Sequence, residues 1–158
     1  VRTALDAFAP AARDLAVTLE LDAPASLPAT LDPDRLGQIV ANLVENALKY
    51  ARSLVVVELA PSGELDPGEL DLRVRDDGPG IAPDDAPRVF DRLFTSRTVP
   101  GRSVGTGLGL AIVRELAAAM GGQVWVAAPP ARGDGAVFVV RLPVAGPVPV
   151  APGTAREL

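Results

Sequence analysis

The sequence predicts an α/β chain. Apolar residues recur at helical spacing through 32–50 and 105–120, and shorter β-rich or alternating segments stand at 17–21, 54–59, 69–75, 123–127 and 136–142. Turn residues punctuate these segments, and a length of 158 residues with 48% hydrophobic content suits one domain with a real core.

Taken in order, residues 3–14 predict a first helix with Leu5, Phe8, Ala12 and Leu15 as its buried set. Residues 17–21 alternate with period two and predict a strand; 29–31 could form a short second one. Asp32 followed by Pro33 is an N-cap with proline at the first helical position, and the helix should run to Tyr50. Leu36, Val40, Leu43, Val44 and Ala47 share its apolar face, with Ile39 at the edge. Strands at 54–59 and 69–75 flank a hairpin loop at 61–68. Residues 81–104 mix Pro, Gly, Asp and Arg around Val89, Phe90, Leu93 and Phe94, and predict a mobile segment holding one short helix. A third helix at 105–120 is stopped by Gly121 and Gly122, and a strand pair at 123–127 and 136–142 closes the domain, 1–143. Residues 144–158 are Pro- and Gly-rich without periodicity and predict a disordered tail.

Composition excludes several classes. Cysteine is absent, so disulfides, thiolate metal sites and cysteine nucleophiles are excluded; histidine is absent too. A net charge of −5 argues against general nucleic-acid binding. No apolar run approaches a membrane span, and the residues from Val1 carry no signal-peptide pattern.

Three stretches carry chemistry. Asn42, Asn46 and Lys49 follow i, i+4, i+7 spacing and form a polar stripe bordering the apolar face of the 32–50 helix, where they can line a cleft. Amide oxygens are hard ligands suited to Mg²⁺, and an ammonium suits phosphate; a merely solvated stripe is the alternative. Residues 76–81 (DDGPGI) put the carboxylate of Asp76 beside glycines. A carboxylate accepts the amino hydrogens of adenine and repels the carbonyl of guanine; an ordinary Asp-Gly turn is the alternative. Residues 105–110 (GTGLGL) open a helix whose bare N–H groups attract phosphate. Their glycine spacing is not that of a dinucleotide fingerprint, and no strand precedes them. A tight helix entry would read the same way.

In this order and spacing the chain resembles the catalytic ATP-binding domain of bacterial sensor histidine kinases, within the GHKL superfamily. Residues 42–50 are similar to the N box, 76–81 to the first glycine box with its D-x-G-x-G core, 89–94 to the F box and 105–110 to the second glycine box. The resemblance covers about 3–143. It implies an α/β sandwich, a mixed sheet with three helices on one face, and a flexible ATP lid at about 82–104. It also implies that Asn42 and Asn46 contact Mg²⁺ and phosphates, that Lys49 contacts phosphate, that Tyr50 flanks the adenine pocket and that Asp76 reads the adenine amino group. Gly78, Gly80 and Ile81 would belong to the adenine side, and Gly105, Thr106, Gly107, Leu108, Gly109 and Leu110 to the phosphate side. The F-box tail departs from the usual pattern, with Thr95-Ser96-Arg97 after Phe94; Arg97 is the candidate lid cation, with Arg92 and Arg102 as alternatives.

The implied reaction is transfer of the γ-phosphoryl group of Mg·ATP to a histidine. Water-activating relatives place glutamate where this chain has Asn42, which cannot act as that base. With no histidine here, the acceptor would sit on a dimerisation domain of the same parent protein, and a response regulator would follow. The fragment would be monomeric and its parent a homodimer, in the cytoplasm or as the cytoplasmic part of a membrane-bound sensor. Phe90, Leu93 and Phe94 would then be a docking patch for the histidine-bearing helices more than a core element. An anti-sigma-type protein-serine kinase and a non-catalytic nucleotide-binding domain are the rival readings.

Overall fold

The computed structural model describes residues 1–25, 29–62, 68–94, 106–127 and 135–144. Among them the elements run α1 (Arg2–Asp6), α2 (Ala9–Asp14), β1 (Thr18–Asp22), α3 (Pro33–Tyr50), β2 (Leu54–Pro61), β3 (Glu69–Asp76), α4 (Gly109–Ala119), β4 (Gln123–Ala127) and β5 (Val137–Pro143). The strands form one mixed sheet in the order β1-β2-β3-β5-β4. β1 lies parallel to β2 and the remaining pairs are antiparallel. A parallel pair needs a crossover, and α3 supplies it.

The helices cover one face of this sheet, as the α/β sandwich requires. Period-two alternation sends Val55 and Val57 of β2, Leu72 and Val74 of β3, and Phe138, Val140 and Leu142 of β5 into one core. From the helix side Ile39, Val40, Leu43, Val44, Ala47 and Leu48 of α3 and Val113 and Ala117 of α4 meet them. Ile39, placed at the edge of the apolar face from sequence, is fully buried. The helix-free face carries a buried acid, Asp71, only 1% exposed. Arg141 grips it with Nε and Nη2 at 2.8 and 3.0 Å, and Arg73 adds a bond at 3.2 Å, so the buried charge is compensated.

Several boundaries differ from the sequence expectation. The single helix expected over 3–14 is two short ones. Pro10 lies at the start of α2, where its missing N–H costs nothing; inside one continuous helix it would remove a bond. Leu15, expected inside, is 52% exposed. The strand considered at 29–31 reduces to a single bridge at Thr30. The short helix expected in the lid is a chain of turns: Ala86 N–H bonds to Ala82, Arg88 to Asp85 and Asp91 to Arg88. The expected tail lies, from residue 145 onward, outside the described residues.

α3 begins and ends as its sequence dictates. The Asp32 carboxylate accepts from the N–H groups of Asp34 and Arg35, both at 3.1 Å. α4 begins later than expected. Gly107 has φ +67, a left-handed conformation that glycine adopts without penalty, and the helix starts only at Gly109. Its end is as expected: Gly121 and Gly122 donate to Ala118 and Ala117 at 3.0 and 2.8 Å.

Candidate functional site

The residues expected on the adenine side meet where α3 and β3 end. Asp76 is the last residue of β3 and only 2% exposed. Its Oδ1 accepts from the N–H of Gly78 at 2.8 Å and of Ala136 at 3.4 Å, while its own N–H donates to the Ala136 carbonyl at 3.1 Å. Burial pushes this carboxyl above the usual range; the two N–H donors pull against that, and neighbouring Asp77 adds to the rise.

Glycines let other backbone come up to Asp76. A Cβ on Gly78 would stand 2.5 Å from the Tyr50 carbonyl oxygen and 2.7 Å from Asp76 Oδ1. One on Gly80 would lie 2.9 Å from the Gly135 oxygen, and one on Gly135 would overlap the Asp76 carbonyl. Tyr50 is thereby brought beside the D-x-G-x-G turn. Lys49 Nζ lies 5.3 Å from the centre of the Tyr50 ring. Ile81 is half-buried and packs against the core.

The residues expected on the phosphate side meet halfway along α3. The Asn42 side chain donates from Nδ2 to the Gln38 carbonyl at 2.8 Å, which turns Oδ1 away from its own helix. That oxygen faces Gly109, the first residue of α4, where a Cβ would come within 3.2 Å of it. The first turn of α4 therefore abuts the stripe at Asn42, while Tyr50 abuts the adenine-side turn. Eight residues of helix separate the two, about 12 Å along the axis. Asn46 and Lys49 lie between them, both half-buried. Thr106 and Leu108 are exposed beside α4, and Leu110 is half-buried.

The F box packs on the second glycine box. A Cβ on Gly107 would meet the Leu93 backbone at 2.8 Å, and the Leu93 N–H donates to the Gly107 carbonyl at 3.0 Å. Val89 and Phe90 are buried, Phe90 edge-on to Phe138 at 6.0 Å between centroids, so Phe90 belongs to the core and not to a docking patch. Leu93 is the apolar residue that the F box leaves outside, 72% exposed. Arg92, an alternative lid cation, is bonded to Glu115 of α4 at 2.7 Å. Arg97, Arg102 and Gly105 lie outside the described residues.

Reasoning from sequence passed over Gly135, Ala136, Asp77 and Ser53. Gly135 and Ala136 lie just before β5, far from the motifs in sequence; the Gly-Asp-Gly run at 133–135 is the only signal.

Comparison with known proteins bears on the family and the fold. The sequence pattern of the histidine kinase-, DNA gyrase B- and HSP90-like ATPases matches residues 31–146. The chain belongs to this family. Within it, the domain is an ATP-binding catalytic domain of the sensor histidine-kinase type. It is 46% identical over 125 residues to the signal transduction histidine-protein kinase AfsQ2 of Streptomyces coelicolor, covering 79% of this chain and 22% of that protein. The chain thus spans about a fifth of the length of that curated relative. A full-length ShkA structure in complex with AMPPNP superposes with TM-score 0.79 at 33% identity, over 92% of this chain and 29% of that one. The mycobacterial sensor histidine kinase MprB superposes with TM-score 0.77 at 30% identity, over 92% of this chain and 93% of that one. No described helix of this kinase-type domain is long and apolar enough to cross a membrane.

Proposed function

We propose that the domain binds Mg·ATP in the cleft between α3, α4 and the end of β3, and delivers the γ-phosphoryl group to a histidine on a separate dimerisation domain. The observation that carries this is the meeting of the three motifs along α3: Gly109 against Asn42 at one point, Gly78 against Tyr50 and Asp76 eight residues on. The ShkA relative was solved with an ATP analogue, which supports the same ligand here.

Asp76 would accept the adenine amino group through Oδ2, since both described bonds fall on Oδ1. A guanine carbonyl in that place would face the carboxylate and be rejected. Asn42 Oδ1 and the amide oxygen of Asn46 would hold Mg²⁺, with water and phosphate oxygens completing its shell. The donor set fits: it offers neutral amide oxygens, and among the described residues no cluster of acids competes for the ion. Bound there, the ion would neutralise phosphate charge. Lys49 and the N–H groups at the start of α4 would hold the phosphates, and Arg97 of the lid would approach the transferring group.

Catalysis in this scheme is placement plus charge neutralisation, as phosphoryl transfer needs. Glu45 lies on an exposed face of α3 and does not join the stripe, so it would not serve as a base for water there. The transferred group would leave on the acceptor histidine, and a response regulator would receive it next.

Single-turnover transfer to the dimerisation domain, compared with ATP titration, tests the assignment. Lys49→Ala and Arg97→Ala should slow transfer more than they weaken ATP binding. Equal losses in both would remove these residues from the reacting centre.

A further inference from the structure

Asp77 follows Asp76 directly, yet its carboxylate serves a different junction. Oδ1 accepts from the N–H of Arg52 at 2.7 Å and of Ser53 at 3.0 Å. Oδ2 accepts from the Ser53 N–H at 3.0 Å and the Ser53 hydroxyl at 2.6 Å. The Asp77 N–H donates to the Leu54 carbonyl at 3.2 Å, and the Ser53 carbonyl accepts from Thr18 at 2.7 Å, which ties β1 to the same point. Burial raises the Asp77 carboxyl, but the Ser53 hydroxyl and the N–H groups of Ser53, Leu54 and Arg52 outweigh it and hold the group well below the usual carboxylate range.

The position of this junction gives it meaning. The β2–β3 ladder ends at Val55 opposite Asp76. Beyond it, the turn at 51–53 joins Tyr50 at the end of α3 to Leu54 at the start of β2. Asp77 continues the attachment past the end of the ladder, onto the turn two residues after Tyr50. On one side of it stands Asp76; on the other, the last turn of α3 with Asn46, Lys49 and Tyr50.

Resting on the reading of this site as an ATP pocket, we propose that Asp77 is a positioning residue. It fixes the distance between the adenine-side acid Asp76 and the polar stripe of α3, so that one nucleotide engages both ends at once. Such coupling is lost when supporting bonds loosen, even though every contacting group is still present.

The test uses two ligands on the folded domain. Adenosine reaches only the Asp76 end; Mg·ATP reaches both. Asp77→Ala removes the acceptors. Asp77→Asn keeps one oxygen for the Arg52 and Ser53 N–H groups and presents an amide to the Ser53 hydroxyl, which can accept. Thermal melts first set a temperature at which every variant is folded, and competition calorimetry then gives both affinities. Asp77→Ala should lose about tenfold in Mg·ATP affinity and less than about twofold for adenosine, with Asp77→Asn recovering most of the difference. Native-like ATP affinity in Asp77→Ala, an equal loss for both ligands, or no recovery by Asn would overturn the role. If Asp77→Ala does not fold, Ser53→Ala takes its place, with a smaller selective loss expected and no selective loss counting against. A native domain that does not prefer Mg·ATP to adenosine would overturn the ATP reading itself; a native preference with unchanged variants overturns only the role of Asp77.

Discussion

The Tyr50 carbonyl oxygen stands where a side chain on Gly78 would begin: a Cβ there would lie 2.5 Å from that oxygen. The last residue of α3 and the D-x-G-x-G turn are thus fitted backbone against backbone. Gly78→Ala must push one of them away. It should destabilise the domain by about 1–3 kcal/mol, the usual cost of overpacking. ATP affinity should fall by more than tenfold, because Asp76 Oδ1 is the second atom in the way. Denaturant melts and calorimetric titration check both, and native-like values would mean that the two segments part easily.

Asp76 and Asp77 should respond to pH in opposite senses. Burial raises the folded pKa of Asp76, so its contribution is most favourable in acid and is lost as pH rises through that raised value. Asp76→Asn keeps an oxygen for the Gly78 and Ala136 N–H groups and removes the buried charge. The empty variant should therefore melt higher than native at neutral pH, with the gain shrinking toward acid. The same change should weaken ATP by about 1.5–3 kcal/mol and erase its preference over GTP. Asp77 has a depressed pKa, so its stabilisation is complete above the ordinary value near ~3.9 and declines as pH falls below it. Melting curves from about pH 2 to 8 test the pair, the acid limb reporting Asp77; an Asp76→Asn variant less stable than native at neutral pH would contradict the first part.

Much of this frame is legible in the sequence, for identifiable reasons. α3 is readable because Asp32, Pro33 and the 3.6-residue pattern all point the same way. The N-terminal helix is misread because periodicity continues across the break at Ala7 and Phe8, just before Pro10. The start of α4 is misplaced because Gly105, Gly107 and Gly109 look alike, while only the fold sets Gly107 at φ +67 against Leu93. Phe90 is misassigned because an F-box aromatic looks equally suited to docking or to packing on Phe138, and spacing cannot tell which. The support given to Asp76 by Ala136, sixty residues away, is long-range pairing that no local pattern encodes.

Asn46 offers a test of the metal assignment. Asn46→Ala should weaken Mg·ATP by about tenfold or more while leaving adenosine almost untouched, since in the proposed site the lost oxygen would serve only the ion and the phosphates. Titrations with and without EDTA separate the cases. Equal weakening of both ligands would make Asn46 a structural residue.

Leu93 combines 72% exposure with a left-handed φ of 62°, a conformation that costs a non-glycine residue about 1–2 kcal/mol. An exposed apolar side chain held there suits contact with the acceptor domain. Leu93→Ala should leave ATP affinity unchanged and raise the acceptor concentration needed for half-maximal transfer. A variant with unaltered dependence on acceptor concentration would remove Leu93 from that contact.

The claim that this domain is a phosphoryl donor to a partner histidine is tested most directly by mixing. The chain holds no histidine, and on the family resemblance Asn42 would replace the glutamate that activates water. Incubated alone with radiolabelled Mg·ATP, it should bind nucleotide, take no stable label and release phosphate slowly. Mixed with the dimerisation domain of its parent protein, it should place label on that domain in an acid-labile, base-stable form. Stable label on this chain, or hydrolysis at the pace of a dedicated ATPase with none reaching the partner, would contradict the account.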